Sequence, residues 1–462
     1  KDDVLRAVGD LAAQFREHSG ESLASRQRYA TPLVEATTSS LDALKAFSAS
    51  MRANYSGGTE SGLPIVKRAV ELDPNFAVAW AMLGLDYSTV GELKNAADAA
   101  TRAYQLRDRA TDRERFLITA LYERQVTGNL DRARQIFETF AHTYPRDTEA
   151  HGLLSGFSTL GTGRYEEAIE HAAILETLDP QIWYAYSNSA YAYICLGQLE
   201  RAESILQRAE AAGLRLVELG EMRALISVIR DGTAAKASLD AAATKAPSSD
   251  HLALMQAMLA VRDQRWGDAR TQIGRAAALA TSANGQESAG VYNGLLAMWE
   301  AVAGHAQEAR QAIARARELS DGRDAMFASA MALMTLRDSR AEALIGELAR
   351  RFPDDTSVRY SYLPTLRGLH ALRAGEPAKA LSVLEDARVN DVGMPALAFY
   401  HYAGWAYPSY VRAQALRALG RPGDAIAELQ RIRDRRGLVQ ADPIAATIDA
   451  ELAALGATTR SH

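Results

Sequence analysis

The sequence predicts an all-α chain, a right-handed α-solenoid of about eleven helix-turn-helix pairs. Three observations lead there. Alanines recur at Ala96, Ala133, Ala168, Ala202, Ala235 and Ala269 with steps of 37, 35, 34, 33 and 34 residues, and continue more loosely at Ala309, Ala341, Ala380 and Ala425. Glycine stands five residues before seven of them, at Gly91, Gly128, Gly163, Gly197, Gly304, Gly375 and Gly420. Pro74, Pro145, Pro180, Pro247 and Pro353 are separated by 71, 35, 67 and 106 residues, near multiples of the same unit. A fixed period in the mid-thirties marks a stack of supersecondary units. No segment shows the period-two alternation of a strand.

The elements follow in order, with pairs expected to begin near Leu41, Ala77, Glu114, Thr148, Trp183, Leu216, Asp250, Gly290, Gly322, Ser361 and Ala406. The spacing Ser39–Asp42 predicts a capped start for the first. In the second, "AVAWAMLGLDYSTVGELKNAADAATRAYQL", Trp80, Leu83, Gly84 and Tyr87 fall on one helix, Gly91 makes the turn, and Ala96, Ala100 and Ala103 line the next. Large side chains fill the space between units, and small ones let the second helix approach closely. The copy from Trp183 repeats this through Ala190, Tyr193, Gly197, Ala202 and Ala209. These copies resemble the tetratricopeptide repeat (TPR). The expected organisation is an amino-terminal helix and connector over 1–39, the array over 41–436, and a capping helix and tail over 437–462. Val4, Leu5, Val8, Leu11, Ala12 and Phe15 give residues 1–20 an amphipathic helical pattern.

The stretch "RDRATDRERF" (107–116) interrupts this pattern with four arginines and three acidic residues. Mixed charge at the junction of the second and third pairs reads as a solvated helix end with local ion pairs. A nucleic-acid contact would want unopposed cations. The whole chain, with a net charge of −5 and pI about 6.1, offers no general attraction to nucleic acid or to anionic membrane. Its longest apolar run, "AMFASAMALMTL", has 12 residues, against roughly 20 for a bilayer span. The chain starts at Lys1 and is expected to be excised from a longer protein.

Several segments resemble the TPR regions of large bacterial, especially acidobacterial, serine/threonine protein kinases. They are "GESLASRQRYATPLVEATTSSLDALKAFS", "AYQLRDRATDRERFLITALYERQVTGNLDRA", "TYPRDTEAHGLLSGFSTLGTGRYEEAIEHA", "LSDGRDAMFASAMALM", "RRFPDDTSVRYSYLPTLRGLHAL" and "DRRGLVQADPIAA". The resemblance runs in one order from about Asp3 to Ala446. It implies a sensory or scaffolding region of a single-pass kinase, placed outside the cytoplasm, or in the cytoplasm if the parent is not membrane-bound. The kinase is not in this chain: it has no glycine-rich phosphate loop, HRD or DFG motif. The closing "TIDAELAALGATTRSH" departs from the family's further helices.

Candidate chemistry is sparse, and neither enzymatic activity nor a cofactor or metal is expected of this chain. His142, His151 and His171 lie close in sequence without metal-ligand spacing. "EHSGE" (Glu17, His18, Glu21) reads as a polar helix end, and His305 as an exposed residue after a turn glycine. The only cysteine, Cys195, sits on an apolar helix next to Leu196 and reads as buried and inert. "QRIRDRRG" (Arg431, Arg433, Arg435, Arg436) reads as a basic last turn opposed by Asp434.

TPR arrays bind protein or peptide segments in a concave groove lined by positions 2, 5, 9 and 12 of each first helix. Carried onto this chain, that selects Val78, Ala81, Leu85 and Ser88 in the second pair. It selects Arg115, Ile118, Tyr122 and Gln125 in the third, and Tyr184, Ser187, Tyr191 and Ile194 in the fifth. Tyrosine offers broad contact area and a hydroxyl at small conformational cost. The leading expectation is a non-catalytic peptide-binding scaffold that makes no nucleic-acid contact and inserts in no membrane. The alternatives are the repeat region of a transcriptional regulator, and a solenoid with a small-molecule or catalytic cavity. Converging carboxylates inside the coil would favour the last. The sequence leaves oligomeric state open.

Overall fold

The computed structural model describes Leu11, Gln14 and residues 38–230, 234–390, 392–393, 406–439 and 442–459. The expected helix over 1–20, apart from Leu11 and Gln14, and the "EHSGE" segment lie outside these. Among the described residues there are eleven TPR-like helix pairs and no strand. First helices start at Leu41, Ala77, Asp112, Thr148, Trp183, Val217, Asp250, Gln286, Arg323, Val358 and Ala406, and short helices at Arg436–Val439 and Ile444–Thr459 follow the last pair.

All ten alanines of the sequence ladder have 1% or less of their surface exposed. Two of the prolines explain their own recurrence. Trp80 Nε1 donates to the Pro74 carbonyl at 3.1 Å, and Tyr186 Oη donates to the Pro180 carbonyl at the same distance. In each case a large aromatic four residues into the first helix is tied to the loop before it.

The seven ladder glycines all have positive φ, between 70° and 85°. Their turns are left-handed, which glycine adopts without the clash a Cβ would bring. In the seventh and ninth pairs the same turn falls on Gln264 and Arg337, both at φ 57°. A left-handed non-glycine residue costs about 1 kcal/mol. Gln264→Gly and Arg337→Gly are each expected to raise the unfolding free energy by about 0.5–1 kcal/mol, read from denaturant midpoints.

Two cap positions differ from the sequence expectation. The first helix is capped by Ser40, not Ser39: Ser40 Oγ accepts the Ala43 amide at 3.3 Å. The third pair starts at Asp112, not Glu114, because Thr111 and Glu114 form a reciprocal capping box (3.2 and 3.0 Å). Thr111→Ala is expected to cost about 1 kcal/mol and to fray this helix, seen as faster amide exchange at Arg113 and Glu114. The charged stretch is thus a helix start in which several of the charges are paired. Arg113 pairs with Asp147, Arg115 pairs with Asp112, and Arg107 lies over the Tyr104 ring at 4.0 Å.

The chain divides into two compact units, one of residues Lys1–Val126 and Arg132–Ala150, the other of Thr127–Asp131 and His151–His462. The second unit has two features that position everything else. Its first helices are buried on nearly every face: Ser288 to Ala301 without interruption in one, Asp324 to Met334 in another. A helix covered all round belongs to a core, so the second helices form the outer, amphipathic layer.

The unit also closes on itself. The Thr356 amide donates to the Gly128 carbonyl at 3.0 Å, and the Leu130 amide to Thr356 Oγ1 at 3.0 Å. Tyr165 Oη donates to the Val392 carbonyl, 227 residues away. Gly437 lies so close to the helix Trp183–Cys195 that a Cβ there would sit 1.5 Å from the Ile194 carbonyl oxygen. Turns within the third, fourth and fifth pairs thus meet the segments that follow the ninth, tenth and eleventh.

Candidate functional site

Ionisable groups collect on the first helices of the first unit, where packing alone would place apolar side chains. Asp86, 4% exposed, lies in Ala77–Thr89 and accepts from Asn54 Nδ2 at 3.1 and 3.3 Å. Burial raises its pKa to about 7; the Asn54 bond opposes this and the charge of Glu149 adds to it. Glu149 is itself raised by burial, against the pull of Arg113 and of a hydrogen bond from Tyr55. Four first helices thus contribute Asn54 and Tyr55, Asp86, Arg113, and Glu149 to one network.

A π-helical segment, Glu123–Thr127, ends the third pair's first helix. Such insertions rotate the residues that follow and often adjoin functional positions. Arg124 Nη2 and Gln125 Nε2 each stand 3.5 Å from Ser88 Oγ. Burial lowers the Arg124 pKa to about 10. The network therefore holds two carboxyls of raised pKa, and the same unit carries the desolvated Arg124 guanidinium beside Ser88. It can hold or release a proton near neutrality and can pair with a cationic group. No group of three or more metal-ligating side chains occurs among the described residues.

The groove residues selected from sequence are scattered. Val78 (6% exposed), Ile118 (0%), Ser187 (1%) and Tyr191 (1%) are closed to solvent, as are Ala81 and Ile194, so as groove contacts they are corrected to packing positions. For Tyr191 the cause is plain: its hydroxyl meets Cys195, on the helix that the Gly437 segment covers. In the third pair the helix start two residues earlier shifts the register. Arg115 is exposed beside Asp112, and Tyr122 stacks on Tyr104 with ring centroids 4.1 Å apart. Leu85, Gln125 and Tyr184 keep part of their surface. Of the twelve selected positions, Ser88 and Gln125 meet each other at 3.5 Å, beside Arg124.

Sequence reading missed Asn54, Tyr55, Asp86, Arg113, Arg124 and Glu149. The available signal was Asp86 inside "AVAWAMLGLDYST", a carboxylate in an otherwise apolar helix.

The histidines and the cysteine resolve simply. His151 and His171 meet at 2.9 Å between Nδ1 atoms, and burial, then His151, lowers His171 to about 4. His142 is exposed. His305 is not free in solvent: its Nδ1 lies 2.5 Å from the fully buried Glu300, and its ring meets Trp266 edge-on at 4.8 Å. Cys195 is buried, and desolvation pushes its thiol well above the usual range. Arg431 and Arg433 face Glu428 and Asp434, both at 3.9 Å, so two acidic residues, not one, oppose that basic turn.

No family model matches the chain, and no curated protein matches it. Among solved structures it is similar to yeast Tom70 (12% identity, TM-score 0.42, covering 90% of this chain and 96% of that one). It is similar also to the APC/C hetero-tetramer Cut9–Hcn1 (12%, 0.37, 90% and 89%) and to the human IFIT1 dimer with PPP-AAAA (16%, 0.38, 84% and 88%). No helix among the described residues is long and apolar enough to cross a membrane.

Proposed function

We propose that this chain is a non-catalytic scaffold that binds a protein or peptide segment, and that the first unit supplies the contact. The observation that carries the reading is the Asn54–Asp86–Glu149 network. A buried carboxyl with a pKa near 7 lowers stability when ionised, so its presence costs the fold something that a partner's cationic side chain would return. The proposed ligand is a segment carrying lysine or arginine. Selection from a displayed random-peptide library tests this: wild type should enrich Lys- or Arg-containing peptides, and Asp86→Asn combined with Glu149→Gln should lose them. Equal enrichment by both forms, or none by either, rules the reading out.

The sequence resemblance supports the finer assignment to the interaction region of a bacterial serine/threonine kinase. The parent reading frame checks it: a kinase domain followed by an apolar span of about 20 residues is expected upstream, and a DNA-binding domain there would instead favour the regulator.

A further inference from the structure

The self-contact of the second unit is more specific than packing requires. At its first point Gly128 is pressed onto Asp355, whose Oδ1 accepts the Val358 amide at 3.0 Å and whose other oxygen takes Arg323. Thr356 supplies both a backbone donor and a hydroxyl acceptor to the opposite turn. At the second point Tyr165, Gly163 and Gly161 meet Val392 and Gly393; at the third, Ile194 and Cys195 meet Gly437. Glycine stands at every point and lets the turns approach closely, against the Asp355 side chain at the first, Val392 at the second and the Ile194–Cys195 backbone at the third. The described residues contain two π-helical segments, Glu123–Thr127 and Val358–Tyr362. One ends at the residue before Gly128, and the other begins two residues after Thr356. π segments are rare and mark places where a helix can change register.

We infer that this seam is a latch: it opens as one event, hinged on the two π segments, while the helix pairs on either side stay folded. Closed, it covers the inner faces of the first helices of the second unit; open, it uncovers Tyr191, Ile194 and their neighbours. Three small points of contact suit a low-energy opening, whereas the pair-to-pair packing lies among fully buried side chains. The inference rests on the scaffold reading only for its purpose, since the opening itself can be measured with no partner present.

Cys195 is the only cysteine in the sequence and lies at the third contact, so it reports on the seam with no residue added or removed. The measurement is the rate of its labelling by an aromatic disulfide reagent across a denaturant series. The expected wild-type result is slow labelling with a much shallower denaturant dependence than global unfolding. Thr356→Val, at the opposite end of the seam, and Gly437→Ala are each expected to speed labelling at least tenfold with circular dichroism unchanged. Leu239→Ala, which removes a fully buried side chain away from the seam, should speed it only by the amount its global stability falls. The inference is overturned if wild-type labelling has the full denaturant dependence of global unfolding. It is equally overturned if Thr356→Val and Gly437→Ala change the rate no more than their own loss of global stability. A seam that opens in a protein that selects no peptide would leave the latch standing and remove the scaffold role.

Discussion

Gly128→Ala is expected to lower the unfolding free energy by about 3–4 kcal/mol, whereas Gly304→Ala, at the same place in another pair, should cost about 1 kcal/mol. Both glycines have left-handed backbones, at φ +70° and +85°. The conformational penalty of a Cβ is therefore common to the two, about 1–2 kcal/mol. The surroundings differ. Around Gly304 a Cβ would meet nothing within 4 Å, but at Gly128 it would fall 2.2 Å from Asp355 Oδ2 and 2.9 Å from Asp355 Cβ. Asp355 cannot swing away cheaply, since it is 4% exposed and held by Arg323 and by the Val358 amide. Overpacking of this kind costs about 1–3 kcal/mol. Urea denaturation of the two variants beside wild type measures the difference. Equal losses would show that the seam contributes nothing at Gly128.

Asp86→Asn is expected to stabilise the protein by about 2–4 kcal/mol at pH 8 and by little at pH 4. The sign follows from linkage. The Asp86 carboxyl has a pKa of about 7 in the folded chain, against roughly 3.9 when unfolded. Between these values the unfolded state has released its proton and the folded state has not, so stability falls as pH rises from about 4 to about 7. Above 7 the full penalty is present. Asparagine keeps the shape and can still meet Asn54, but has no charge to desolvate. Thermal or urea unfolding of wild type and variant between pH 4 and 8 should show the two curves diverging as pH rises. A variant less stable than wild type at pH 8 would mean that ionised Asp86 is well compensated in the fold. A single removal that strengthens the fold and weakens peptide capture would place Asp86 among groups retained for binding at some cost in stability.

Much of the architecture was legible because it is written locally. Ala96 and its nine counterparts are buried where each second helix crosses its partner, and a left-handed glycine turns eight of the pairs among the described residues. The third pair's start was misplaced because a cap, Thr111 with Glu114, outweighed hydrophobic spacing. The eighth and tenth pairs start four and three residues before the expected Gly290 and Ser361, at Gln286 and Val358. The groove was less legible. A position rule assumes that the inner face of every first helix looks onto open space, and Val78, Ile118, Ser187 and Tyr191 do not. The polar network was hidden for the opposite reason: Asn54, Asp86 and Glu149 lie some 32 and 63 residues apart in sequence, and nothing local to any one of them announces the others.

The amino-acid sequence alone determined that the chain is helical, that its helices come in pairs, and where most pairs turn. Each of these depends on contacts within about 35 residues, so the period repeats them visibly. Tertiary structure alone decided which inner faces are covered and which carboxyls are desolvated. The covered faces involve contacts between residues as far as 227 apart within the second unit, and the carboxyls are desolvated where first helices of successive pairs meet at Asp86. Contacts of that range join several pairs, and no single pair records them.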